Sequence, residues 1–179
     1  MRLRALAKIN LGLDIVGKRP DGYHEVRMIM QTIQMYDVLE IEKKEKPGIA
    51  LTTNIPYVPT DERNLVYKAA KILMDEFHVK EGLSMKLDKF IPVAAGMAGG
   101  SSDAAAAFVG VNRLFGLGLS EEALMERAVL VGADVPYCSY AWNCFGRGHR
   151  REAYQTSKAS TLLCAGGKAG SECFHQDGL

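Results

Sequence analysis

"KFIPVAAGMAGGSSDAAAAF", residues 89–108, opens apolar, passes through three glycines and two serines, and ends in an alanine-rich run. The most flexible residues stand directly before the best helix formers. Glycine lets a backbone reach positive φ and approach a ligand with no Cβ in the way. A helix beginning near Ser101 would offer unpaired N–H groups at the positive end of its dipole, and Ser101 and Ser102 would add hydroxyl donors. Strand, glycines, serines and helix in that order make an anion site, with phosphate the natural guest. Without a ligand, the same residues read as a flexible turn capped by serine. The run is neither G-x-x-x-x-G-K-[ST] nor a dinucleotide fingerprint after a first strand.

Outward from this loop, the flanking segments alternate between sheet and helix periods. "GLSMKLDKFIP" sets Leu83, Met85 and Leu87 against Ser84, Lys86 and Asp88, which predicts a strand leading into the loop. Residues 2–16 read as extended, ending at the turn "GKRPDGYHE". In "VRMIMQTIQMYDVLEIEKKE", Leu39 and Ile41 alternate with Glu40 and Glu42, a strand with one wet face, and "IALTTN" is expected to pair beside it. Asn64 suits the cap of a helix with an apolar stripe of Leu65, Ala69, Leu73 and Phe77. After the glycines, Ala104, Phe108, Val111 and Phe115 fall at helical spacing. A second helix starts at Ser120, with Glu121 and Glu122 at its positive end, and Gly132 suits its stop. Met28, Met30 and Met35 read as core. Strands precede helices without strict alternation, so the expected class is α+β.

The 179 residues fit one domain, or one domain plus a fragment. A net charge of +1 gives no electrostatic case for nucleic acid or membrane. No apolar run approaches the roughly 20 residues needed to span a bilayer, and no signal peptide is visible. Cys138, Cys144, Cys164 and Cys173 lack C-x-x-C spacing, which suggests neither zinc nor a disulfide framework. A cytoplasmic protein is the default expectation.

The longer run "PVAAGMAGGSSDAAA" resembles the phosphate-binding motif of the GHMP kinases. That family folds around a left-handed βαβ unit, and its N-terminal domain resembles ribosomal S5 domain 2. "AKINLGLDIVGKRPDGYHEV" near the start and "GADVPYC" before the tail narrow the likeness to the branch acting on a cytidylated methylerythritol. Mevalonate and homoserine kinases share the glycine loop, but their first segments do not resemble "RPDGYHE". The resemblance covers residues 1–138 and implies an ATP-binding N-terminal domain there.

It further implies ATP-dependent phosphorylation of a tertiary 2-hydroxyl. Asp134 matches the proposed base and Lys8 its partner; each alone would read as a cap or surface charge. Pro92, Val93, Ala94, Ala95, Gly96, Met97, Ala98, Gly99, Gly100, Ser101 and Ser102 match the ATP-phosphate loop. Tyr23 and His24 match a cytosine-binding pair, and Asn64 a position near the adenosine. Asn10 lies two residues from Lys8 on an extended strand, hence on the same face, and would bind substrate hydroxyls or place Lys8. Magnesium is expected to arrive with ATP, since no carboxylate cluster makes a dedicated cage. Another small-molecule GHMP kinase, or a non-catalytic nucleotide-binding remnant, stands as the alternative, while near-neutral charge argues against an RNA-binding module. Oligomeric state is not legible.

After Cys138 the resemblance stops. Residues 139–179 hold the single Trp and three of the four cysteines without a periodic apolar segment. The family would continue into a second domain, which is expected to be missing here. "YAWNCFGRGHRREAY" can be encoded so that the same bases, one position later, read "MRGTALAEGIGEKL", which resembles the family after "DVP". Trp142 is always TGG; followed by the first A of an Asn codon, it forces glycine in the shifted frame. "GSECFHQDGL" similarly yields "AVSVSTKMA", and the family carries a V-S-T segment later on. The expectation is an out-of-frame, poorly packed tail and weak turnover; its rival is a lineage-specific tail. Resequencing the gene across codons 136–142 is expected to reveal the slipped base, and bases that cannot encode those peptides in the shifted frame would end the idea.

Overall fold

The computed structural model describes residues 1–18, 24–139 and 162–164. Its elements run β1 (Arg2–Lys18), β2 (His24–Lys44), β3 (Ile49–Thr53), α1 (Leu65–Glu76), β4 (Gly82–Asp88), α2 (Gly99–Phe115), α3 (Glu121–Ala128) and β5 (Leu162–Cys164). The strands form one mixed sheet in the order β1-β2-β4-β3, with β5 on β2. β1 and β4 each pair antiparallel with β2, whereas β3 and β4 are parallel neighbours joined through α1.

Alternation decides which sheet face is buried. Leu39, Ile41, Leu83, Met85 and Leu87 point into the core, where they meet α1 and α2. Gly110 permits the close approach of α2: a Cβ there would stand 2.5 Å from Ile41 Cδ1 and 2.7 Å from Leu3 Cδ1. Alanines 104–107 are all buried on the same helix, so it lies low against its neighbours. Among the described residues, no helix is long and apolar enough to cross a membrane.

Several expectations need correction. "IALTTN" does not pair beside Leu39–Glu42; Ile49–Thr53 pairs with Leu83–Leu87 of β4 instead. The helical crossover α1 returns the chain parallel to β3, and β4 takes the place next to β2. The stripe on α1 is rotated: Val66, Ala69, Ala70, Leu73 and Met74 are buried, while Leu65 is only partly so and Phe77 is exposed at the helix end. Met30 is core and Met28 is partly buried against it, but Met35 is exposed. Sequence reading assigns no element to residues 162–164, yet they pair parallel with Met28–Met30. β4 leaves β2 at Val38, so that edge of β2 is open to a short strand. The turn at residues 19–23 and the rest of the tail lie outside the described residues.

Gly110→Val should therefore destabilise the domain by about 1–3 kcal/mol through overpacking. Urea unfolding followed by circular dichroism checks this; an unchanged midpoint would mean that α2 does not press on the sheet at Gly110.

Candidate phosphate site and its buried charges

A cavity of about 600 Å³ opens over the glycine loop. Residues 92–101 form one side of it, and Lys8, Asn10, Asn64 and Asp134 also line it. Residues separated by more than 120 positions in the sequence thus meet at one place.

The loop gains its shape by an unexpected route. Gly96 has φ +73°, as glycine allows, but the other left-handed positions are Ala94 (φ 61°) and Ala98 (φ 55°). A non-glycine residue there costs roughly 1–2 kcal/mol, so surrounding contacts must hold the loop. One such contact is the Lys8 backbone N–H, which donates to Met97 O at 3.0 Å. Gly99 and Gly100 are not turn residues at all, because α2 begins at Gly99, two residues before the expected start. Gly99 is needed for space: a Cβ would lie 3.1 Å from both Lys89 Nζ and Ile91 Cγ2.

No side chain caps α2, whose N-cap residue is Ala98. The capped-turn reading therefore fails. The first amides of a 17-residue helix face the cavity end without a protein cap, and the dipole adds positive potential. Ser101 lines the cavity, whereas Ser102 is buried on the helix and donates its backbone N–H to Ala98 O.

Lys8 is almost fully buried, and its Nζ lies 3.7 Å from Asp134 Oδ2 and 3.1 Å from Asn10 Oδ1. Asn10 does share a face with Lys8. Asp134 stands before a helical turn at 135–139, where Cys138 N–H donates to Asp134 O. Tyr137 Oη lies 3.0 Å from Thr32 Oγ1, which ties that turn to β2. Asn64 lines the cavity, but its side chain is already occupied. Its Oδ1 accepts from Val66 N–H as the helix cap, and its Nδ2 donates to Pro59 O. His24 begins β2 opposite Lys18, and Tyr23 lies outside the described residues.

Sequence reasoning missed a second set of charges. Lys89 follows β4, and its ammonium is shared by Asp37 of β2 and Asp103 of α2; Nζ donates to Asp103 Oδ2 at 2.6 Å. All three are buried, and Lys89 and Asp103 line the cavity. Asp37 Oδ1 accepts backbone N–H groups of Phe90 and Ile91, and Oδ2 accepts from Lys89. Asp103 Oδ1, by contrast, has no partner. Burial pushes the Asp103 carboxyl up to about 8; Lys89 pulls against this, and Asp37 adds to the rise through its negative charge and a side-chain hydrogen bond. For Lys89, burial works to release the proton, but Asp103 and Asp37 together hold the ammonium above its ordinary value. A sequence signal existed: Asp103 sits seven residues before Gly110, hence on the buried face of an otherwise alanine-rich helix.

A raised carboxyl favours the fold while protonated. The contribution is complete below 3.8, the unfolded value, and is lost as pH rises through about 8. Relative to Asp103→Asn, the native chain should lose stability between these limits at up to about 1.4 kcal/mol per pH unit. Thermal unfolding at several pH values checks this; parallel curves for the two proteins would count against a protonated Asp103.

Residues 64–141 match the GHMP kinases N terminal domain family. A 4-diphosphocytidyl-2-C-methyl-D-erythritol kinase of Clostridium perfringens is 55% identical over 138 residues, covering 77% of this chain and 48% of the relative. The corresponding Caldicellulosiruptor bescii protein is 53% identical over 167 residues, 92% of this chain and 58% of that protein, so its alignment runs past residue 138. The chain thus spans about half the length of the curated relatives it matches. Among solved structures, a 4-(cytidine 5'-diphospho)-2C-methyl-D-erythritol kinase superposes with TM-score 0.67 at 34% identity, covering 77% of this chain and 48% of that one. A mevalonate kinase superposes with TM-score 0.61 at 16% identity, covering 78% and 51%, a likeness of fold alone.

Proposed function

We propose that this chain, which carries the N-terminal domain of the GHMP kinases, is the ATP-binding part of a kinase acting on the 2-hydroxyl of 4-diphosphocytidyl-2-C-methyl-D-erythritol. One observation carries the reading: Lys8 and Asp134 meet at 3.7 Å on the wall of the cavity that the uncapped α2 helix faces. An anion seat and an acid–ammonium pair beside it are the parts that phosphoryl transfer to an alcohol requires.

In this reading the phosphates of ATP lie against residues 92–101, held by the free amides of α2 and by the Ser101 hydroxyl. A tertiary hydroxyl is a poor nucleophile until its proton leaves. Asp134 takes that proton, and the Lys8 ammonium, 3.7 Å away, offsets charge on the transferring group. Asn10 holds the Lys8 ammonium and leaves its amide end for substrate hydroxyls. Tyr23 and His24 receive the cytosine, the first by stacking and the second at the ring edge. Asn64 shapes the adenosine side by capping α1 rather than by a free side chain. Magnesium arriving with ATP would supply neutralisation of charge on the phosphoryl group.

The division of the chain belongs to the same proposal. Lys8, the loop and Asp134 all precede residue 139, and residues 139–179 are taken as an out-of-frame tail, of which Leu162–Cys164 pair with β2.

The 179-residue chain should bind ATP, and Gly99→Val, whose side chain would press on Lys89 and Ile91, should weaken binding at least tenfold. Turnover by this chain should be weak and should depend on the cytidylated substrate, with ADP release falling to background in Asp134→Asn while ATP affinity stays within about threefold. Titration calorimetry and a coupled ADP assay read the two effects. Phosphoryl transfer that survives Asp134→Asn, or that proceeds equally on an uncytidylated polyol, would reject the assignment.

A further inference from the structure

The floor of the cavity contains an imbalance of charge. Two buried carboxylates, Asp37 and Asp103, share a single buried ammonium, Lys89. Ionised together they would leave one net negative charge directly under the loop. That is the wrong sign for a site that receives phosphate, and in a dry setting the effect is strong.

The hydrogen bonds identify which carboxylate carries the surplus. Asp37 is met at both oxygens, by Phe90 N–H and Ile91 N–H on one and by Lys89 on the other. Asp103 has Lys89 on Oδ2 and nothing on Oδ1, although it lines the cavity and is 1% exposed. A bare, buried carboxylate oxygen is costly, whereas a carboxylic acid at the same place gains an O–H donor.

We propose that Asp103 is a positioning residue that carries a proton at neutral pH, and that nucleotide binding is linked to this proton. The protonated carboxyl removes the negative charge beneath the loop, and its hydrogen bond with the Asp37 side chain keeps the proton in place. Deprotonation restores the charge and repels phosphate. The other charged groups nearby do not perform this service. Lys89 is already engaged by both aspartates, Lys8 is engaged by Asn10 and Asp134 across the cavity, and Tyr57 stands exposed at the rim. The rise of the Asp103 carboxyl to about 8 agrees with this placement.

The inference rests on the nucleotide-binding reading above, so its test has two arms. In the first, carboxyl carbon NMR of aspartate-labelled chain should show one resonance, absent in Asp103→Asn, that titrates near pH 8 without nucleotide. In the second, calorimetry with ATP in buffers of different ionisation enthalpy should show proton uptake at pH 8, and affinity about tenfold weaker at pH 9 than at pH 7. In Asp103→Asn the ratio between those two pH values should shrink to about one, whatever its absolute affinity. An Asp103 resonance already ionised at pH 7 overturns the proposal. So does ATP binding with no proton uptake, or with the same pH ratio in the variant. If the resonance titrates near pH 8 but ATP binds at no pH, the nucleotide reading fails and takes the linkage with it. The first arm reads the native chain, so the conclusion does not depend on the variant folding.

Discussion

One ammonium between two carboxyl groups holds the site together. Asp37 belongs to β2, Lys89 to the exit of β4, and Asp103 to the first turns of α2, so this contact fixes three elements at one point. Burying the Lys89–Asp37 pair costs several kcal/mol per ion before any attraction is counted, and well-packed apolar residues would often be as stable. What the buried polar groups give in exchange is geometry. Asp37 also receives Phe90 N–H and Ile91 N–H, which sets the direction in which the chain leaves the sheet. Asn54 pairs reciprocally with the backbone of Lys89, its Oδ1 accepting and its Nδ2 donating, and locks β3 to the same exit. The loop therefore departs from a fixed point and returns to a fixed point, because Asp103 anchors the helix it enters.

Between those anchors the backbone is strained, and the strain faces the cavity. Two alanines adopt left-handed conformations and a long helix starts without a side-chain cap. In a segment with no ligand to serve, a glycine at Ala94 or Ala98 and a serine or aspartate cap would be the stable choices. Their absence here leaves amides pointed at open volume. Strain of this sort survives where neighbouring contacts overdetermine it, and the bond from Lys8 N–H to Met97 O is one of them. The same lysine thus shapes the loop through its backbone and reaches the proposed reaction centre through its side chain.

Much of this was legible in the sequence, for physical reasons that differ from residue to residue. β4 was plain because its period-2 alternation is imposed by burial of one face. The cap at Asn64 was plain because few residue types perform that task. The partner of β3 was not legible, since strand neighbours in a mixed sheet depend on the crossover and not on the strand itself. The role of Gly99 was hidden as well: its need comes from Lys89 and Ile91 approaching from another element, which no local pattern records. Lys8 and Asp134 were found through resemblance, since each alone is an ordinary charge. Asp103 could have been found without it, as an acid on the face of α2 that Gly110 presses to the sheet.

The position of Lys8 along β1 explains why the site lies where it does. Up to Lys8 the strand is packed under α2, with Leu3, Ala5 and Ala7 buried; beyond it the strand runs clear, and Leu11, Leu13 and Ile15 are exposed. Lys8 is the last buried residue before that change. Deeper in the sheet its ammonium would be sealed from any ligand, and farther out water would screen it. The partner is graded differently: the Asp134 side chain keeps 34% of its surface exposed, against 6% for Lys8. A pair built for stability alone would bury both ends or neither. One end fixed and the other open is what a proposed base requires, because the fixed cation sets the charge while the carboxylate remains within reach of a hydroxyl arriving from the cavity.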